Sequence, residues 1–94
     1  MYDDADWSHR GDYIVKRHDV VSAVANEALL DPERIVIDPD YNSTSGRSVQ
    51  IIGFSKTVDD LITVIVLIDE GVTYGVNAWR PNARDRRIYR EGAL

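Results

Sequence analysis

Leu61-Ile62-Thr63-Val64-Ile65-Val66-Leu67-Ile68, then Asp69-Glu70-Gly71, then Val72-Thr73-Tyr74-Gly75-Val76-Asn77-Ala78-Trp79: this stretch decides the fold of the 94-residue chain. Its first eight residues are mostly β-branched and far short of the ~20 apolar residues that a membrane helix needs, so they read as a buried strand. The connection ends in glycine and is short enough to force the two strands into an antiparallel hairpin. By simple alternation Val72, Tyr74, Val76 and Ala78 share one face of the second strand, and Thr73, Gly75, Asn77 and Trp79 share the other.

Working upstream, Ser48 to Phe54 is a further strand, preceded by a polar turn over Tyr41 to Arg47 rich in Asn, Ser and Gly. Ile35-Val36-Ile37 is a short β-branched run closed by Asp38-Pro39. Val20 to Leu30 has helical periodicity, with Val20, Val21, Val24, Ala25, Ala28 and Leu29 on one half of the wheel and Ser22 and Asn26 opposite. Ser8 to His18 forms a second, shorter helical segment. Downstream, Pro81 suits the first turn of a closing helix over Asn82 to Tyr89. The expected architecture is therefore α+β: one domain spanning 1–94, with a small antiparallel sheet of three to four strands, N-terminal helices and a closing C-terminal helix. The helices are expected on one sheet face, leaving the other partly open, and residues 1–12 read as a flexible acidic extension.

Hydrophobic residues make up 44% and charged residues 29%, the balance of an ordinary globular domain. The absence of cysteine excludes disulfides and thiolate metal sites, and it is compatible with a cytoplasmic location. The opening residues carry no basic, apolar pattern of a signal peptide. The net charge of −5 is unevenly divided: residues 1–40 hold ten acids against four bases, residues 41–94 six against seven. From Trp79 to Arg90, Arg80, Arg84, Arg86, Arg87 and Arg90 face only Asp85. The chain thus has one candidate polyanion patch, at its C-terminal end.

Several elements in order resemble the BrnT-like toxins, which share the RelE-type ribonuclease fold. Arg17-His18-Asp19-Val20, followed by Ala25 and Asp31, is similar to that family's Lys-His-Gly-Val opening. Gly46-Arg47 and Ile51-Ile52-Gly53 resemble its Gly-x-x-Arg and Ile-Gly elements, the first with a different spacing. Ala78, Asp85, Arg86 and Tyr89 keep the mutual spacing of the family's closing Ala-Arg…Glu-Arg-x-x-Tyr. Two positions depart from it: Trp79 stands where the family has arginine, with Arg80 one place later, and Asp19 replaces glycine. The likeness covers Lys16 to Tyr89. It implies a type II toxin, an endoribonuclease that inhibits growth and is restrained by a cognate antitoxin, commonly a ribbon-helix-helix DNA-binding protein.

Metal-independent RNA cleavage requires a base for the 2′-hydroxyl, an acid for the leaving 5′-oxygen and cations around the in-line phosphorane. Arginine suits the last role because its planar fork meets two phosphate oxygens. Arg47, Arg80 and Arg84 are the candidate phosphate ligands, expected to converge, and Arg80, Arg84 and Arg87 fall on one stripe of the closing helix. His18 is the candidate proton carrier, since imidazole ordinarily titrates near neutrality; its other reading is a helix-end histidine. Lys16, Arg17 and Arg87 are candidate RNA contacts. Trp79 and Tyr89 are candidate stacking rings, although an aromatic on the inner side of a terminal helix also suits a core. The N-terminal Asp3, Asp4, Asp6 and His9 lack metal-loop spacing, and no cofactor or membrane partner is expected. The competing reading is a non-catalytic interaction module that binds a partner through the open sheet face and the basic helix.

Overall fold

A computed structural model describes residues 4–41, 43 and 46–92. Three helices and four strands follow one another as α1 (Gly11–His18), α2 (Ser22–Leu29), β1 (Ile35–Ile37), β2 (Ser48–Ser55), β3 (Asp60–Asp69), β4 (Val72–Trp79) and α3 (Ala83–Glu91). The sheet order is β1-β2-β3-β4, every neighbouring pair antiparallel. The fold is α+β with N-terminal helices and a closing helix. Three of the residues in the expected polar turn, 42, 44 and 45, lie outside the described residues, as do Asp3 and the rest of 1–3.

The helices do not share one face. Ile14 of α1 and Val24, Ala25, Ala28 and Leu29 of α2 pack with Val49, Ile51, Ile62, Val64, Val66 and Ala78. α3 covers the opposite face, where Ile88 meets Ile37 and Ile52. The reason lies in β2 and β3 themselves. Val49 to Gly53 and Ile62 to Val66 are buried at successive positions rather than at alternate ones, so each face carries an apolar row that must be withdrawn from water. One layer of helices cannot do that.

Alternation along β4 also fails at one place. Ile65 pairs with Asn77 but Val66 pairs with Gly75, so Val76 is an extra residue in a β-bulge. The bulge brings Gly75 and Ala78 onto the same face, under α1, α2 and Trp7, where alternation alone would separate them. Gly75 is required there: a Cβ would sit 2.3 Å from the Trp7 indole. Gly53 answers a similar demand, since its Cβ would lie 2.0 Å from the Ala28 carbonyl oxygen. At the hairpin, Asp69 pairs with Val72, leaving Glu70 and Gly71 as a two-residue turn with φ of 50° and 79°. Positive φ at both places matches the twist of the strands.

The described part of the acidic start is not a free extension. The Asp6 amide donates to the Thr73 carbonyl and the Gly75 amide to the Asp6 carbonyl, each at 2.8 Å, so the chain closes this part of the β4 edge. Ala5 and Trp7 are in the core, and the Trp7 indole N–H donates to Asn26 Oδ1 at 2.9 Å. Asn26 therefore belongs to this contact rather than to a wholly solvated helix face. Trp7→Ala is expected to cost about 3–5 kcal/mol, read as the urea-unfolding free energy; an unpacked extension would give no change.

Candidate nucleic-acid interface

The basic closing helix is seated by polar anchors rather than by a large apolar face. Pro81 precedes the cap, and Asn82 Oδ1 accepts the Asp85 amide at 2.9 Å, so α3 begins one residue later than proline alone suggests. Asp85 itself is buried and accepts from Gln50 Nε2 at 3.0 Å and Thr63 Oγ1 at 3.4 Å, a carboxylate in the first helical turn where the helix dipole favours it. Arg86 donates to Asp60 at 2.7 Å and to the Pro81 carbonyl at 3.1 Å. At the other end the Tyr89 hydroxyl donates to Asp31 Oδ2 at 2.5 Å. These contacts turn Asp85, Ile88 and Tyr89 inward and leave Arg84, Arg87 and Arg90 exposed.

Electrostatics follow the same anchors. The Arg86 hydrogen bonds draw the Asp60 carboxyl down to about 2 against partial burial, and the Leu61 amide and Arg80 add to the effect. Burial opposes ionisation of Asp31, but donation from Tyr89 and from the Glu33 and Phe54 amides outweighs it and lowers its pKa. Burial and the bond to Asp31 raise the Tyr89 hydroxyl well above its ordinary value.

A second group of residues gathers where α1 ends beside the end of β4. Asp19 ends α1 in the left-handed conformation, φ 56° and ψ 40°, with its amide returning to Ile14 and Val15 carbonyls. That is the conformation glycine adopts without penalty, so the aspartate keeps the turn that a glycine at this position provides. Lys16, Arg17 and His18 fill the last turn, where cations offset the helix dipole. The His18 ring lies 5.9 Å from the Trp79 ring and 6.1 Å from that of Tyr13, and Arg10 stacks on Tyr13 at 3.9 Å. Arg80 follows Trp79 at this corner.

The expected convergence of three arginines does not occur. Ser48 pairs with Leu67 and Ser55 with Asp60, so the Arg47 end of β2 and the Asp60 end of β3 are about 23 Å apart along the strands. Arg80 lies before α3 rather than on its stripe, and its guanidinium meets Asp60 at 3.3 Å. Arg84 instead covers the Tyr41 ring at 4.1 Å. Tyr89 belongs to the cluster of Ile35, Ile37, Ile52 and Ile88, which with its bond to Asp31 makes it an internal anchor rather than a stacking ring. His18 is brought against Trp79, which Arg80 follows in the chain, while the Arg80 guanidinium is turned to Asp60. Lys16 and Arg17 share the last turn of α1 with His18, and Arg84 and Arg87 remain on the exposed side of α3.

Sequence reading missed Tyr13, Arg10 and Asp60. Tyr13 stands before Ile14 and Val15, and its exposed side becomes visible only when Ile14 is known to point inward. Asp60 meets arginines 20 and 26 positions away, and no local pattern encodes that. Among the described residues, no three of His, Cys, Asp or Glu are grouped to hold a metal, and no helix is long and apolar enough to cross a membrane. Neither a known protein family nor a curated protein matches the chain.

The depressed Asp60 carboxyl makes its contribution to stability complete above the ordinary carboxylate value of 3.8 and progressively lost as pH falls toward about 2. Asp60→Asn should lower the thermal midpoint at pH 7 by no more than about 5 °C, because the pair is partly exposed. The difference from the unaltered protein should close as the pH approaches 2, measured by circular dichroism melts across pH 2–7.

Proposed function

We propose that this chain is a small RNA-cleaving toxin of the type II kind, a metal-independent endoribonuclease acting on RNA in the cytoplasm and restrained by a cognate antitoxin. The observation that carries the reading is the contact of His18 with Trp79 at the end of α1, with Arg80 the next residue of the chain and Lys16 and Arg17 on the same helical turn as His18. It offers a proton carrier and a flat ring with cations nearby, which supports binding and cleavage of an RNA strand.

The chemistry assigned to the corner is transfer within the RNA itself. The 2′-oxygen attacks the adjacent phosphorus, its proton passing to His18, and the bond from phosphorus to the 5′-oxygen breaks. The leaving oxygen takes up a proton from water and a 2′,3′-cyclic phosphate remains. Arg80 stabilises the phosphorane. One of its N–H groups is engaged by Asp60, while its side chain is 48% exposed and presents further donors. Arg84 and Arg87 bind flanking phosphates from α3. Arg47 has no part in this centre.

The resemblance to BrnT-like toxins supports the reading through particular residues. Gly53 lets α2 approach β2, and Asp85, Arg86 and Tyr89 are the anchors of α3, while Asp19, which departs from the family's glycine, keeps a glycine-type backbone turn. The shared positions are thus ones that build a fold.

One observation favours the second reading, a non-catalytic module that binds a protein partner: Asp60 already pairs with Arg80 and Arg86 and offsets their charge. Incubation of purified protein with RNA in EDTA separates the two. Cleavage leaving 2′,3′-cyclic phosphate ends, abolished by His18→Ala and reduced at least tenfold by Arg80→Ala, is the expected result, with growth arrest lost in parallel. Intact RNA at high protein concentration would support the module instead.

A further inference from the structure

The rings beside β4 form a longer series than the catalytic corner needs. His9 lies 5.7 Å from Tyr74 near the start of the strand, Tyr13 stands against Arg10 midway, and His18 adjoins Trp79 at the end. The series is fixed to the sheet, because Arg10 Nε donates to the Val76 carbonyl at 3.0 Å, an acceptor turned outward by the bulge. An open cleft of about 520 Å³ bounded by His9, Arg10, Leu67, Asp69, Tyr74 and Val76 continues it along the strand.

Charge is arranged along the same line. On α1, Arg10, Tyr13 and Arg17 fall within a stripe of about 60°, whereas Asp12 is about 160° from Arg10 and turned away. Asp19 lies beyond the helix end, and Asp69 borders the cleft at its Tyr74 end. Asp60 faces Arg80 from β3. Positive charge is therefore concentrated between Arg10 and Arg80, with acids at the ends. Tyr13 is 39% exposed: Arg10 covers one face of its ring and His18 meets it edgewise, so a base would lie against the other face.

We infer that α1 and the β4 edge together form a stacking platform for single-stranded RNA, on which unpaired bases lie against Tyr13 and Trp79 while Arg10 and Arg17 follow the phosphates. The inference rests on the proposed RNA-cleaving function and specifies the strand state of its substrate. A duplex does not fit this role, since its bases are stacked on one another and unavailable to the rings.

The test is binding of a fluorescein-labelled 12-nucleotide RNA of mixed sequence, 2′-O-methylated so that it cannot be cleaved, measured by anisotropy at low salt. The single strand is expected to bind at least tenfold more tightly than its duplex. Tyr13→Ala should weaken single-strand binding between about 5- and 150-fold, and Tyr13→Phe, which keeps the ring, by less than twofold. Because Tyr13 is exposed, both variants should retain the unaltered melting curve. Equal affinity for duplex and single strand, or unchanged binding by Tyr13→Ala, would overturn the platform. If the unaltered protein still cleaves ordinary RNA in that event, the enzymatic reading survives; if it neither binds nor cleaves, both fail.

Discussion

β3 lies inside the sheet with apolar side chains at successive positions, and the remaining elements are arranged to keep both of its faces dry. α1 and α2 cover Ile62, Val64 and Val66. α3 crosses the opposite face, where its Asp85 reaches Thr63 of β3 and Gln50 of β2. Burial of a continuous apolar strand therefore dictates a helix on each side, and the second helix happens to be the arginine-bearing one.

That constraint governs where the cations go. A helix held by so small an apolar area as Ile88 and the Tyr89 ring needs polar contacts to keep its orientation, and Asp85, Arg86 and Tyr89 supply them from successive turns. Arg86 is consumed in this way, while Arg84 and Arg87 stay outside. Asp60 couples the two ends of the arrangement, because it accepts from both Arg80, just after β4, and Arg86 on α3. A phosphate approaching Arg80 would compete with a carboxylate already present.

The β4 edge shows a related division of labour. Backbone pairing with Asp6 protects its first half, and Arg10 takes the carbonyl exposed by the bulge. An open edge is an aggregation risk, so closing it serves stability first. The same closure holds His9, Tyr13 and His18 against the strand, which turns a protective contact into a row of rings.

Alternation, β-branched runs and turn chemistry made the helices, the strands and the hairpin legible from residues alone, since each depends on near neighbours in the chain, although the turn proved one residue shorter than the Asp69-Glu70-Gly71 connection. The unbroken apolar run of β3 also contained the sign that two faces need cover. Only the tertiary structure decided that Val76 bulges, that Trp7 fills the space over Gly75, and that Asp60 and Asp31 hold residues from α3. The same holds for the corner: His18 and Trp79 are 61 positions apart by residue number, and antiparallel register carried Arg47 to the other end of the strands. Local propensity sets the elements, whereas contacts between distant residues depend on register, bulges and the sharing of faces, which no short stretch encodes.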